Sequence, residues 1–156
     1  MITLRDAVAG DLPEILAIYN DAVVNTTAVY DEEPRGTEAH ARWFAAKGEQ
    51  GLPVLVACGA DGAVLGFASY GPFRPWPGFR HTVENSLYVA ADARGRGVGR
   101  RLLAATVDHA RARGLHAMVA GIDADNAVSR HLHAALGFTE VGRLPEVGRK
   151  FDRWLD

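Results

Sequence analysis

The sequence predicts a single mixed α/β domain over residues 1–156, and three observations predict it. Strand-like and helix-like apolar spacings alternate along the whole chain. Asp61-Gly62 between two apolar runs marks an antiparallel hairpin. Between Arg80 and Leu136 a strand, a glycine loop, a helix, a second strand and a second helix follow one another, the order of a phosphate-binding crossover. With 156 residues, 48% of them hydrophobic and 23% charged, the chain can bury one real core, which excludes disordered and fibrous classes.

Taken in order, Thr3 to Ala7 reads as a short strand. Asp11 is placed to cap a helix, with Glu14 three residues on and the stripe Leu12, Ile15, Leu16, Tyr19, Ala22 and Val23 behind it. Thr37 to Lys47 reads as a second helix, and Val54 to Cys58 and Val64 to Tyr70 as the arms of the hairpin. Three prolines and two glycines between Gly71 and Gly78 predict an ordered loop. Arg80 to Val89 alternates as a long strand with Glu84 in its middle. Past Asp92 the chain turns through Arg94-Gly95-Arg96-Gly97-Val98-Gly99 into a helix bearing Leu102, Leu103, Thr106, Val107 and Ala110, which Gly114 ends. His116 to Ile122 reads as a strand, Asn126 to Leu136 as a helix closed by Gly137, and Phe138 to Leu144 as a further strand.

Composition narrows function too. Seventeen Lys and Arg against 19 Asp and Glu leave a net charge of -2, without the basic field of a nucleic-acid binder, so no nucleic-acid partner is expected and any anion site is local. Cys58 is the only cysteine, which excludes an intrachain disulfide or a multi-cysteine zinc site, and its apolar strand makes it a core residue. His131 and His133, two apart on a helix, face different directions, so no metal is expected. No apolar run approaches the roughly 18–20 residues of a membrane span, and Met1 to Asp6 lacks a signal-peptide core, so a cytoplasmic protein with no membrane partner is expected.

The glycine loop is the most specific signal. Gly95, Gly97 and Gly99 let consecutive backbone N–H groups converge, and the helix that follows adds the positive end of its dipole. Arg94, Arg96, Arg100 and Arg101 supply a local field for a ligand with several phosphates; a solvated glycine-rich turn is the alternative. Arg100 and Arg101 after Gly99 lack the Lys and Ser/Thr of a Walker loop, and Arg100 stands where a dinucleotide fingerprint needs its last glycine.

These residues carry a resemblance. Arg94 to Gly99 after a strand ending Ser86-Leu87-Tyr88-Val89, followed by Asn126 and Leu136-Gly137-Phe138, resembles the acetyl-CoA-binding core of the GNAT N-acetyltransferase superfamily over residues 80 to 138. The segments Asn20 to Thr27, Gly71 to Pro75, Thr82 to Val89 and Val147 to Phe151 resemble its phosphinothricin and methionine sulfone (methionine sulfoximine) acetyltransferase group, Thr82 to Val89 being the most discriminating. The resemblance implies a GNAT fold: a twisted, mixed, mostly antiparallel sheet flanked by helices, with a splayed strand pair that takes acetyl-CoA. It also implies a homodimer. Relatives usually continue past Asp156 with one more apolar strand; either the sequence is cut short there or that strand is absent, which would leave an unpaired sheet edge.

It further implies roles for particular residues. Glu84 is the expected proton acceptor for the attacking amine, directly or through a water; a surface carboxylate or an ion pair with Arg80 is the alternative. Leu87, Tyr88 and Val89 would meet the pantetheine arm mainly through backbone, with N–H groups there as oxyanion donors, and Tyr88 reads equally as a packing aromatic. Arg94, Gly95, Arg96, Gly97, Val98, Gly99 and Arg100 would hold the phosphates. Asn126 and Ser129 would hold pantetheine, although Asn126 is also an ordinary helix cap. His133 stands where many superfamily members carry a tyrosine, and either protonates the leaving thiolate or merely hydrogen-bonds CoA. Arg74, Pro75, Trp76 and Arg80, with Glu84, Asn85 and Ser86, are expected around the acceptor, the two arginines on its oxyanions. Tyr30 and Phe79 either wall that site or simply pack.

The function implied is direct acetyl transfer from acetyl-CoA to the α-amine of a small amino-acid analogue. Acetylation of a protein N-terminus or another amine, and a non-catalytic acyl-CoA-binding protein, are the alternatives.

Overall fold

In the computed structural model, which describes all 156 residues, four strands form a continuous antiparallel run: β1 (Thr3–Asp6), β2 (Val54–Cys58), β3 (Val64–Pro72) and β4 (Thr82–Val89). A fifth, β5 (Ala117–Val119), joins β4 in parallel at the edge. The β2–β3 hairpin turns at Asp61-Gly62, where Gly62 takes a φ of 88° that suits glycine. The β3–β4 register runs unbroken from Gly66 opposite Val89 to Pro72 opposite Val83.

Helices cover both faces. Strand alternation turns Val54, Val56, Cys58 and Phe67 toward α1 (Leu12–Asn25), where they bury Ile15, Ile18, Tyr19 and Val23, with Trp43 and Phe44 of α2 (Thr37–Glu49) packed alongside. The alternate residues Leu55, Ala57 and Ala68 meet Val98 and Leu102 of α3 (Val98–Ala112). Cys58 is buried in the first of these clusters. A fourth helix, α4 (Ala127–Ala135), follows β5, and a separate hairpin of β6 (Gly148–Lys150) and β7 (Arg153–Leu155) ends the chain.

Several elements differ from expectation. Asp11 does not cap α1. Its carboxylate accepts both ends of the Arg5 guanidinium (2.7 and 2.8 Å) and the Val8 N–H, while Glu14 reaches across to accept the N–H of Val64 (2.7 Å) instead of closing a capping box. The strand expected over Phe138 to Leu144 is absent: no neighbouring strand offers this segment a ladder, and Val141 is 96% exposed. β5 is shorter than His116 to Ile122 for a related reason, since its partner carries it only as far as Glu84. The β6–β7 hairpin turns through Phe151 and Asp152, both at positive φ (51° and 56°), as a tight two-residue turn demands. Lys150, only 2% exposed, donates from this hairpin to the carbonyls of Thr26 and Val29 (2.8 Å each), fixing the chain that leaves α1.

The Arg5–Asp11 contact carries a pH signature. The guanidinium holds the Asp11 carboxyl below the usual carboxylate range, so its contribution to stability is complete above the unfolded-state value of about 3.9 and disappears as pH falls through the lower folded-state value. Asp11→Asn is expected to lower the thermal midpoint at pH 7, with the gap from the parent closing below about pH 3.9; melting curves over pH 2–8 measure it.

Candidate functional site

The feature that organises the site is a fork. β5 pairs with β4 only through Thr82, Val83 and Glu84, opposite Ala117, Met118 and Val119, and then leaves it. The Ala90 N–H donates to the Leu65 carbonyl (2.9 Å), so with an unbroken register the backbones of Ser86 and Tyr88 also turn toward β3. The Asn85 carbonyl and the backbones of Leu87 and Val89 therefore point into the gap, without a strand partner. The gap opens into a cleft of about 1130 Å³.

Glu84 stands at the root of this fork. Its Oε1 lies 3.3 Å from where a Cβ on Gly121 would sit, so the missing side chain at 121 makes room for the carboxylate. By alternation Glu84 shares a sheet face with Ser86 and Tyr88, the face that α1 and α2 cover. The Tyr88 side chain is committed to packing, edge-on to Tyr19 at 5.5 Å and tilted on Phe67 at 5.2 Å, and burial pushes its phenol up to about 12. Only its backbone is left for other work.

The far end of the cleft is the start of α3. Gly95 and Gly97 both take left-handed φ values (73° and 78°), and no side chain caps the helix at Gly97. The first intrahelical bond runs from the Arg101 N–H to the Gly97 carbonyl, so the N–H groups of Val98, Gly99 and Arg100 remain open. Gly99 lets α3 approach α4 and β4: a Cβ there would sit 3.3 Å from Leu132. Arg94 and Arg100 line the cleft, whereas Arg96 does not, and Arg101 is drawn off to the Ile2 carbonyl (2.8 Å). Open amides, a helix dipole and two guanidiniums fit a pyrophosphate.

From α4, Asn126 both caps the helix, accepting the Ser129 N–H (3.1 Å), and lines the cleft beside Ser129. His133 is buried on the next turn. Its Nδ1 lies 2.8 Å from the Ser129 carbonyl, which can only accept, so Nδ1 carries the proton and Nε2 presents a lone pair toward the Asn85 side-chain amide (3.3 Å). Burial also lowers the imidazole pKa, which keeps the ring neutral at pH 7.

Four expected acceptor residues stand elsewhere. Arg74, Pro75, Trp76 and Arg80 line a second depression with Tyr70 and Val83, whose side chains face α3, on the opposite face of the sheet from Glu84. Arg74 folds over the Phe73 ring (4.2 Å) and donates to its own neighbour's carbonyl, and Arg80 donates to the Pro77 carbonyl, so the proline loop satisfies both locally. Phe79 lines that depression too, and Tyr30 packs against Gly148. The cleft also contains residues that had no role assigned from the sequence: Thr27 donates to the buried Asp123 carboxylate, and Phe151 and Arg153 approach from the terminal hairpin. No local signal marks Asp123, because its partner lies 96 residues away.

Comparison with known proteins finds relatives of this chain and of its fold. The profile of the acetyltransferase (GNAT) family matches residues 15–138. An L-methionine sulfoximine/L-methionine sulfone acetyltransferase of Pseudomonas paraeruginosa is 56% identical over 99% of this chain and 90% of its own length. The crystal structure of a GNAT superfamily phosphinothricin acetyltransferase from Sinorhizobium meliloti in complex with acetyl-CoA superposes with a TM-score of 0.96 at 40% identity, covering 99% of this chain and 83% of that one. A ribosomal-protein-alanine N-acetyltransferase from Brucella melitensis gives 0.95 at 51%, covering 98% and 94%.

The His133 geometry is directly testable. Nitrogen-15 NMR of the histidines is expected to show His133 as the Nδ1–H tautomer, titrating below the ordinary value of about 6.5. An Nε2–H ring, or titration at or above 6.5, would contradict it.

Proposed function

Because the chain belongs to the acetyltransferase (GNAT) family, we propose that it transfers the acetyl group of acetyl-CoA to the α-amine of a small amino-acid analogue such as methionine sulfone, methionine sulfoximine or phosphinothricin. One observation carries the reading: Glu84 stands where β4 loses its second neighbour, so a carboxylate, a strand backbone without a partner and the open start of α3 share one cleft.

Acetyl-CoA supplies the activated acyl group as a thioester. In this reading the open amides of α3, with Arg94 and Arg100, hold its phosphates, and the strand backbone from the Asn85 carbonyl through Leu87 and Val89, which β5 no longer pairs, flanked by Asn126 and Ser129, holds the pantetheine arm. An amino-acid amine is mostly protonated at neutral pH and reacts only as the free base; Glu84 accepts that proton, directly or through a water. The His133 proton is held by the Ser129 carbonyl, which supports a structural hydrogen bond to Asn85 over a role as acid, the thiolate then leaving unassisted. The only thiol, Cys58, is buried, which favours direct transfer over an acyl-enzyme.

A homodimer in the cytoplasm is part of the proposal. Val141, Leu144, Val147 and Trp154 are exposed apolar side chains that self-association would have reason to cover. Transfer to a peptide N-terminus is the second reading, favoured by the likeness to the Brucella protein.

Thiol release from acetyl-CoA in the presence of methionine sulfone, methionine sulfoximine, phosphinothricin or a short peptide tests both readings. Release with the amino-acid analogues is expected, with Glu84→Gln lowering kcat by about 10²–10⁴-fold and leaving CoA affinity intact. Release with the peptide alone would move the assignment to protein acetylation.

A further inference from the structure

A cation lies across the sheet face from Glu84. Gly71 of β3 is the register partner of Glu84, and with no side chain there the face is open at that point. Into this opening α2 extends Lys47: its Nζ stands 3.4 Å from where a Gly71 Cβ would be and donates to the Tyr70 carbonyl (2.8 Å). No Asp or Glu lies within ion-pair distance, so the ammonium keeps two protons without a protein acceptor. Burial lowers its pKa to about 8, the mark of a desolvated cation without a counter-charge, still largely protonated at neutral pH. Other cations nearby are occupied: Arg35 lies over the Tyr19 ring (4.1 Å), and Lys150 holds two carbonyls.

Opposed positions on neighbouring strands are about 5 Å apart at Cβ, and Glu84 leans away from β3 toward Gly121. A carboxylate, and an ammonium with no carboxylate partner, thus stand at register-partner positions on one face of the sheet. An α-amino acid carries the complementary pair, ammonium and carboxylate on one carbon, and can meet one group with each end, directly or through a water beside Glu84. We propose that Lys47 binds the α-carboxylate of the acceptor, so that the site selects a free amino acid over a peptide N-terminus, whose carboxylate is lost to an amide. The proposal rests on the acetyl-transfer reading above. It gives the acceptor two anchors, Glu84 for the amine and Lys47 for the acid, and leaves the side chain as the variable part.

The test compares methionine sulfone with its methyl ester, which keeps the amine and side chain and removes the charge, in the parent enzyme and in Lys47→Met. The parent is expected to favour acid over ester in kcat/KM, and Lys47→Met to reduce that preference about 10-fold or more, through the KM for the acid, with the KM for acetyl-CoA unmoved. Turnover of the ester by the same variant reports that it is folded. A preference unchanged in Lys47→Met, including an equal loss on both substrates, overturns the assignment of Lys47 while leaving acetyl transfer standing. A parent enzyme that acetylates the peptide and neither small substrate overturns both.

Discussion

The structure turns on a hydrogen-bond ladder that stops. β4 has two neighbours as far as Glu84 and one neighbour from Asn85 onward, and the cleft exists because β5 ends its pairing there. Backbone donors and acceptors left unpaired inside a protein are costly unless something satisfies them, so such a fork lasts only where water or a ligand occupies it. The two hydrophobic layers pack on the sheet that carries the fork, one on each face.

Everything the site uses is placed relative to that break. The last paired residue is the carboxylate, the first unpaired backbone group belongs to Asn85, and the chain then passes through the left-handed glycines to start α3 at the opposite end of the cleft. Strand alternation divides the labour: odd-numbered residues of this stretch turn their backbones into the gap, while Glu84 and Tyr88 send side chains to the α1–α2 face, one to bear charge and the other to pack. Small residues recur where approach is close, Gly121 beside the Glu84 carboxylate, Gly99 beside α4 and Gly71 beside the Lys47 ammonium.

Legibility from sequence followed the range of the interactions. The glycine loop, the Asp61-Gly62 hairpin, the cap at Asn126 and the mid-strand position of Glu84 are all set by neighbours within a few residues, and they were readable. Arg74 and Arg80 were chemically reasonable anchors, but which face of a sheet a loop folds onto is decided by packing, and the proline loop closed on itself beside Tyr70 and Val83. Lys47, Asp123 and Lys150 were invisible because their meaning comes from partners 23, 96 and more than a hundred residues away. The strand over Phe138 to Leu144 failed for the same reason: its residues suit a strand, but a ladder needs a second chain segment.

Lys150 carries a consequence of another kind, one of folding order. Its bonds to Thr26 and Val29 join residues 124 and 121 positions apart, and the Thr27–Asp123 contact spans 96. Contacts that enclose so much chain bear their loop-closure entropy before they return any energy, whereas the β2–β3 hairpin and α3 are built from near neighbours. The half of the cleft at the start of α3 is thus assembled from local structure, while the side held by Lys150 and Asp123 waits on distant contacts. A chain still short of its terminal hairpin has the open start of α3 and an unfinished opposite side of the cleft.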